Sequence, residues 1–449
     1  MNRDEFIEMI RAAGVVGEGG AGFPAHVKYA GTADTVIANG CECEPLLHTD
    51  RSHMERNARD IAQALAELRR AVGAGKGIFA LKKKQIGVID KVREACREFD
   101  LEMALLDDFY PAGDEQILVR ELTGRSVPAL GIPLQVGCIV ANVGTLVSVN
   151  AALGGKPVTH KTLTVTGDVR KPGMVRAPVG TSMDECLAAA GGTLTKDPVF
   201  ILGGPMMGRL VEDEAALKKE YVAKVDGGLI ALPRGHYLHH NATQKVEKMR
   251  RRAAAACIQC RFCSDLCPRM LIGQPFETHR VMRVFGADAE MESESGTLAH
   301  LCSGCGVCEH YACPMRLSPR RVNQAVKKAL ADKKISYEGS REINERRTQP
   351  REYRKIPLAR LAARLDITRY MRLETPDLGT LTPSVTRVPL GRHIGAPAKP
   401  VVNVGQKVRC GECIGEIPKK SLGARVHAGM DGVVVSVDDA VTIRGEKYA

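Results

Sequence analysis

The sequence predicts a multidomain protein of mixed α/β and α+β class, and three observations carry that prediction. Helix and strand signals alternate over the first 155 residues, the pattern of an α/β domain. From Lys161 the signal becomes short alternating strands with one brief helix, the pattern of a small α+β module. Residues 245–335 are basic, helical and dense in cysteine, and the chain ends in a Val- and Gly-rich stretch of period-two character, a small β domain. A length of 449 residues leaves room for about three domains of average size. Apolar residues at 44% and charged residues at 26% suit a soluble globular protein.

The elements follow in order. Asn2-x-x-Glu5 reads as a capping box, Phe6, Ile7 and Ile10 recur at helical spacing, and Gly14 ends the helix. A glycine-rich loop comes next. Thr35–Ala38 reads as a strand, Asn57–Val72 as a long helix, Ile78–Leu81 as a strand and Ile86–Phe99 as a helix. Ser126–Gly155 carries no charge and is long enough to span a bilayer. It is broken by Pro128, Gly131, Pro133, Gly137, Asn142, Gly144 and Asn150, so buried strands and turns are expected there. Thr162–Gly167 alternates as a strand, Gly167-Asp168 and Lys171-Pro172-Gly173 read as turns, and Asp184–Ala190 reads as a short helix. Val322, Ala325, Val326, Ala329 and Leu330 share one helix face.

The fifteen cysteines are too many for a quiet cytosolic protein and too few per residue for a disulfide scaffold. The acidic start, Met1 to Glu5, lacks an apolar signal core, so a reduced cytoplasm is the expected compartment. Eight of the cysteines form an internal repeat. Cys257-x-x-Cys260-x-x-Cys263-x-x-x-Cys267-Pro268 recurs as Cys302-x-x-Cys305-x-x-Cys308-x-x-x-x-Cys313-Pro314. Three cysteines at two-residue spacing wrap one [4Fe–4S] cube, and the fourth, before proline, reaches the other cube. Cys257, Cys260, Cys263 and Cys313 are therefore expected to hold one cluster, and Cys302, Cys305, Cys308 and Cys267 the second. Structural zinc usually takes cysteine pairs with a longer spacer, and disulfides conflict with a reduced compartment. The extra residue before Cys313 is expected to lengthen a loop without removing a ligand. Cys96, Cys138 and Cys186 read as buried packing residues, Cys41 and Cys43 as part of a polar turn, and Cys410-x-x-Cys413 as packing.

Gly17-Glu18-Gly19-Gly20-Ala21-Gly22 contains GxGxxG, but a helix precedes it, so it fails the context of the ordinary dinucleotide fingerprint. Such a loop still lets backbone N–H groups approach a phosphate or a flat ring, with Lys28 placed to pair with the phosphate. Gly73–Gly77 lacks the Ser or Thr of a phosphate loop and is set aside. Two polar runs, Asn39–Pro45 and Tyr110–Gln116, stand at strand ends. Their acids suit ribose or ribityl hydroxyls or a nicotinamide amide.

The order of the glycine loop, Lys28, the Asn39-x-x-Glu42-x-Glu44-Pro45 run, Gly113-Asp114-Glu115 and Ala141–Thr145 resembles two families. They are the flavin-binding, NADH-oxidising subunit of respiratory complex I and the RnfC component of the Rnf complex. The resemblance implies FMN bound by Gly17, Gly19, Gly20, Gly22, Lys28, Asn39, Glu42, Glu44, Gly113, Asn142 and Thr145. It implies Phe23, Asp114 and Glu115 near the nicotinamide of an NADH donor, with Asp114 departing from the Gly-Glu-Glu of complex I. Residues 161–228, with Gly203–Gly208, resemble the soluble-ligand-binding (SLBB) β-grasp module. Ile394–Pro397, Val404–Val408 and Gly429–Gly432 resemble a biotinyl/lipoyl-type barrel-sandwich without its modified lysine. The implied organisation is a flavin-binding α/β domain over 1–155, a β-grasp module over 156–240, a helical two-cluster ferredoxin-like domain over 245–335, a linker over 336–385 and a barrel-sandwich over 386–449.

The barrel-sandwich stands last here, whereas RnfC usually carries it first. This order and the run Cys302–Met315 resemble the cobalamin reductases of propanediol-utilisation microcompartments over nearly the whole chain. That resemblance implies an NADH-dependent flavo-iron-sulfur oxidoreductase acting on cob(III)alamin or cob(II)alamin. By the same resemblance cobalamin is its substrate, an adenosyltransferase and shell proteins are its partners, and a cytoplasmic microcompartment is its location. No Asp-x-His-x-x-Gly motif is present, and His26, His48, His53, His239 and His240 read as surface or structural. An Rnf-like protein passing electrons between NADH and ferredoxin in a membrane complex is the first alternative. A nucleic-acid-binding protein, suggested by basic runs at 248–252 and 346–355, is the second. Aromatics at 4% and no Trp make poor stacking platforms, so neither nucleic acid nor membrane insertion is expected. The net charge of +12 falls to about +6 once two anionic clusters and a flavin phosphate are counted.

Overall fold

The computed structural model describes residues 1–445, so the last four positions of the 386–449 span lie outside it. The chain opens on α1 (Arg3–Ala12), whose capping box joins Asn2 and Glu5 as the sequence predicts. Its apolar stripe, Phe6 and Ile10, joins the core on one face of a four-stranded parallel sheet. The strands are β1 (Thr35–Gly40), β2 (Lys76–Lys82), β3 (Glu102–Leu106) and β4 (Cys138–Asn142), in the order β3-β2-β1-β4. Every residue of β1 is buried, as a central parallel strand covered on both faces requires. Val36 and Ala38 face the cluster built on α2 (Thr49–Ala71) and α3 (Ile86–Glu98), while Ile37 faces the opposite one.

Two expectations need correction here. The helix expected over Asn57–Val72 starts at Thr49, and Asn57, with φ −129°, marks a kink inside it. The early start is possible because Glu42 accepts the amides of Asp50 and Arg51, donors that a helix N-terminus leaves unpaired. The uncharged stretch 126–155 is not all strand and turn. Past helix α4 (Glu115–Thr123) and β4, Asn142 caps an eleven-residue helix, α5 (Val143–Leu153). Among the described residues no helix is long and apolar enough to cross a membrane.

A six-stranded sheet follows, formed by β5 (His160–Gly167), β6 (Gly173–Pro178), β7 (Pro198–Leu202), β8 (Arg209–Val211) and β9 (Gly228–Pro233), with a helix at Met183–Ala189 packed on it. Its sixth strand comes from far along the chain. Asp377–Thr380 pairs parallel with β6 at the sheet edge. The span 336–385, expected to be a linker, is thus structural. Ile356-Pro357 pairs with Phe109-Tyr110 of the first domain, and Leu358, Leu361, Leu365, Ile367 and Tyr370 are buried in a core shared with Leu46, Ile230 and Val307. The helical domain packs α6 (Val246–Ala256), α7 (Thr278–Gly286) and α8 (Pro319–Asp332) around Phe276, Phe285, Val322, Val326 and Leu330. The C-terminal domain is a sandwich of a four-stranded and a three-stranded sheet around Val388, Ile414, Val434 and Ile443.

Lys224 joins three of these units. Its buried Nζ donates to Gly14 O and to Arg425 O, both at 2.7 Å. Burial lowers its pKa to about 7. Lys224→Met strands two buried carbonyls at about 1–3 kcal/mol each and should lower stability by several kcal/mol. The unfolded chain holds this proton up to about 10.5 and the folded chain only to about 7, so wild-type stability should rise with pH between those values. Urea midpoints at pH 7 and pH 9 test both statements, and a variant that keeps the wild-type pH slope refutes the second.

Candidate functional site: a glycine loop at the carboxyl ends of a parallel sheet and two crossed cysteine groups

Neighbouring strands β1 and β4 run parallel, so their carboxyl ends open on one edge of the sheet as a crevice, the side on which open α/β sheets usually hold a ligand. Asn142 ends β4, and its register partner Asn39 stands next to last in β1. The glycine loop lies over Asn142. It is closed at its base by Gly17 N–H donating to Phe23 O at 2.9 Å, and the amide of Glu18 donates to Thr145 Oγ1 at 2.9 Å. A Cβ on Gly19 would stand 3.1 Å from Asn142, one on Gly22 would meet Val225 at 2.8 Å, and Gly20 faces open space. The loop is thus a bare backbone cradle that side chains would fill, which fits a phosphate or a flat ring.

The other residues expected at a flavin and its nicotinamide partner divide into two sets. Lys28 and Glu115 pair with each other at 2.5 Å, and Phe23 is exposed beside the loop. Asn39 donates to Gly113 O at 2.9 Å and accepts from Cys41 N at 3.1 Å. Gly113 sits where a Cβ would strike Cys41 O at 2.4 Å. Glu42 is linked to the crevice through Asp50, whose amide it accepts at 3.1 Å and whose carboxylate accepts from Asn142 Nδ2 at 2.9 Å. Burial and mutual repulsion raise the Glu42 carboxyl. Glu44 points away from the crevice to the β-grasp module, where it accepts from Met206 N at 2.9 Å, and burial raises its carboxyl to about 7. Asp114 caps the helix Glu115–Thr123 through the amides of Gln116 and Ile117 and pairs with Arg269 at 2.7 Å.

Three groups at this site escape sequence reasoning. Glu18, inside the glycine loop, is buried in an ion pair with Lys161 of β5 and accepts from Ser148 Oγ at 2.6 Å. Asp50 gives no signal beyond its place in the first turn of a helix. Arg269 stands two residues after Cys267, a position that the cysteine pattern does flag.

The cysteines converge in two groups, and the groups are crossed. Cys257, Cys260, Cys263 and Cys313 line one cavity. Burial pushes the Cys263 thiol up to about 12, and the charges that add to this are those of Cys313, Cys257 and Cys260. Burial also raises Cys267, and the next contributions include Cys305 and Cys302; for Cys308 they are Cys302 and Cys305, with Cys263 of the first group beyond them. Among the described residues no three His, Cys, Asp or Glu side chains stand close enough to hold a single ion. All fifteen cysteines are free thiols. Thiolates on alternate corners of a cube stand farther apart than the ligands of one ion, so both groups fit a [4Fe–4S] cube.

The repeat extends to the backbone. Gln259 and Arg261 adopt φ of 51° and 66° where the second run has Gly304 and Gly306 at 75° and 83°. The residue inserted before Cys313 does not lengthen a loop as expected. It is absorbed as one π-turn over Cys308–Ala312, with Cys313 N–H donating to Cys308 O at 3.1 Å. Gly306 has no room for a side chain, since a Cβ would meet His310 at 2.9 Å and Met206 at 3.1 Å. Gly306→Ala should therefore cost about 2 kcal/mol or more, from its left-handed backbone and the clash together. Gln259→Gly should stay within about 1 kcal/mol of wild type. Anaerobic urea melts compare the two, and equal losses would contradict the difference drawn between the runs.

Similarity to known proteins follows the same divisions. The chain matches the Nuo51 FMN-binding domain over residues 10–151, the SLBB domain over 162–210, the 4Fe-4S dicluster domain over 256–318 and the RnfC barrel-sandwich hybrid domain over 378–449. The cobalamin reductase PduS of Salmonella typhimurium is 39% identical over 99% of this chain and 97% of that protein. The PduS of Citrobacter freundii is 38% identical over 97% and 95%. A component of the ion-translocating oxidoreductase complex of Rhodobacter capsulatus is 31% identical over 66% of this chain and 54% of its own. In fold the chain resembles part of an NAD+-reducing [NiFe]-hydrogenase, with a TM-score of 0.51 and 22% identity over 73% of this chain and 61% of that one. FMN and two [4Fe–4S] clusters are the cofactors these domains take.

Proposed function

The chain belongs to the family of the cobalamin reductase PduS, and from that premise we propose that it passes electrons from NADH, by way of its FMN and two clusters, to a corrinoid. The observation that carries the reading is the seating of one cysteine group against the flavin domain. Tyr110 OH donates to Cys305 O at 2.7 Å, and Arg269, two residues past Cys267, pairs with Asp114. FMN, when bound, takes two electrons together and iron–sulfur clusters release them singly, so the protein's task is position, exclusion of water and tuning.

Its residues divide that task. Cys257, Cys260, Cys263 and Cys313 would hold one cluster, and Cys302, Cys305, Cys308 and Cys267 the other. The amide of Gly304 lies 3.3 Å from Cys302 Sγ and that of Leu317 lies 3.4 Å from Cys313 Sγ, hydrogen bonds of the kind that tune a cluster's potential. The bare backbone at Gly17, Gly19, Gly20 and Gly22 would cradle the flavin beside Asn39, Asn142 and Thr145, with Lys28 as the phosphate's counter-charge. Asp114 is engaged by its cap and by Arg269, so contact with the nicotinamide would fall to exposed Phe23 and to Glu115 once the flavin phosphate draws Lys28 from it. Glu44, with a pKa of about 7, can hold a proton at neutral pH behind the crevice. An adenosyltransferase and microcompartment shell proteins are the partners of this reading, inside a cytoplasmic microcompartment.

Absorption of the anaerobically purified protein tests it first, with a flavin band over broad iron–sulfur absorption and about eight irons and one FMN per chain expected. NADH-driven reduction of cob(III)alamin is then compared with that of ferredoxin. Activity toward ferredoxin alone would replace the proposal with an Rnf-like role.

A further inference from the structure

We propose that the exposed face of the Cys257–Cys263 run, with Ile258 and Met315 lining the cavity of Cys257, Cys260, Cys263 and Cys313 and Phe262 exposed next to Cys263, is where the corrinoid docks to be reduced. This rests on the cobalamin-reductase reading and adds to it a place for the substrate.

The two cysteine groups are neighbours with different surroundings. The Cys302–Cys308 run is wedged between domains, with Gly306, Val307 and Cys308 buried and Cys302 to Cys305 half-buried. Tyr110 covers Cys305, Met206 packs on Gly306, and Val307 is wholly buried in the core shared with the flavin and β-grasp modules. The Cys257–Cys263 run faces solvent. Ile258 is 64% exposed, Phe262 51% and Met315 40%. The repeat makes the contrast informative, because Phe262 occupies the position of Val307 and Ile258 that of Ser303. The face that the flavin domain covers on one group is therefore left open on the other, and it carries large apolar side chains with nothing over them. One face receives electrons and its counterpart is placed to release them.

Chemistry favours a corrinoid as the occupant. Three side chains make a patch far smaller than the roughly 800 Å² per partner of a stable protein interface. An aromatic ring and a thioether suit the apolar face of a macrocycle. Gln259 and Arg261, exposed on the same run, add polar groups that match the carboxamide arms around a corrin, although the Gln259 amide also donates to Cys257 Sγ at 3.2 Å and Arg261 lies 3.6 Å from Glu277. The electron balance is simple. One electron leaves the protein for each corrinoid, cobalt(III) becoming cobalt(II), and one NADH serves two corrinoids, yielding NAD+ and a proton.

The test uses the anaerobic holoprotein and the variants Phe262→Ser, Ile258→Ser, both together, and Phe262→Leu as the conservative control. Hydroxocobalamin binding is measured by equilibrium dialysis alongside iron content, the cluster EPR signals and bleaching of the flavin by NADH without corrinoid. Cluster signals and bleaching should persist in all variants. Binding and corrinoid reduction should fall about ten-fold or more in the serine variants and recover with leucine. Serine variants that bind and reduce the corrinoid like wild type overturn the docking site and leave the reductase reading standing. Loss of ferredoxin reduction alone would also overturn it, making this a protein-docking face. A wild-type protein that reduces no corrinoid overturns the reading of function itself. Should Phe262→Ser lose its clusters, Ile258→Ser and Phe262→Leu decide the question.

Discussion

Cys267→Ala should remove the cluster of the other run, Cys302–Cys308, and leave that of Cys257–Cys263 in place; Cys313→Ala should do the reverse. Iron is expected to fall from about eight to about four per chain in either variant. The basis is the crossing, in which Cys267 gathers with Cys302 and Cys305, and Cys313 lines the cavity of Cys257, Cys260 and Cys263. Double variants make the test strict. Cys267→Ala with Cys305→Ala attacks one cluster twice and should lose no further iron, whereas Cys267→Ala with Cys260→Ala should lose nearly all. Each run keeping its own fourth cysteine would invert this pattern and refute the crossing.

Glu18→Gln should have the largest effect on stability among residues outside the cysteine groups. Glu18 and Lys161 are 8% and 4% exposed, and removing one partner leaves the other charge buried and unpaired, at about 3–5 kcal/mol. Burial pushes the Glu18 carboxyl up, but Lys161 and the bonds from Lys161 and Ser148 outweigh it, and its pKa ends below the usual carboxylate value. His53 adds little at neutral pH, since burial lowers it to about 4 and leaves it uncharged. A lowered carboxyl stabilises the fold above its unfolded value near 4.5 and loses that contribution as pH falls through the folded one. Wild type should therefore lose stability in acid more steeply than the variant. Replacing both partners, as Glu18→Gln with Lys161→Met, should recover much of the loss. Urea melts of the three proteins would show it, and a double variant as weak as Glu18→Gln argues against the pair.

The parts of the fold that the sequence discloses are those written locally. The Asn2–Glu5 capping box, the alternation of the first domain and the cysteine repeat each lie within a short window, and spacing alone leads to the crossed grouping. Resemblance singles out Asn39 and Asn142, yet their register partnership is a matter of topology that no local pattern states. The span 336–385 reads as a linker for a physical reason. Its buried positions, Ile356, Leu358, Leu361, Leu365, Ile367 and Tyr370, are scattered among arginines and prolines, and its strands are two and four residues long. Their partners, Phe109-Tyr110 and β6, lie some 200 residues or more away, so neither period nor length gives a signal. The helix after Asn142 is hidden because its apolar residues leave no polar face to show a helical period. Asp114 and Glu44 carry polar contacts to other domains, and those depend on tertiary packing alone.

The stitched course of residues 356–380 bears on how this chain comes apart. A protease given four beads on a string cuts the string and frees the beads. Here the apparent string is a strand in one sheet and a pairing partner of another domain, so although its arginines are exposed their backbone is held in place, and trypsin would cut there only after neighbouring cores had opened. A fragment ending near residue 335 would expose the β6 edge and the bed of Leu358 and Leu361 together. Excised domains should consequently aggregate, and the intact chain should resist nicking and melt in fewer transitions than it has modules.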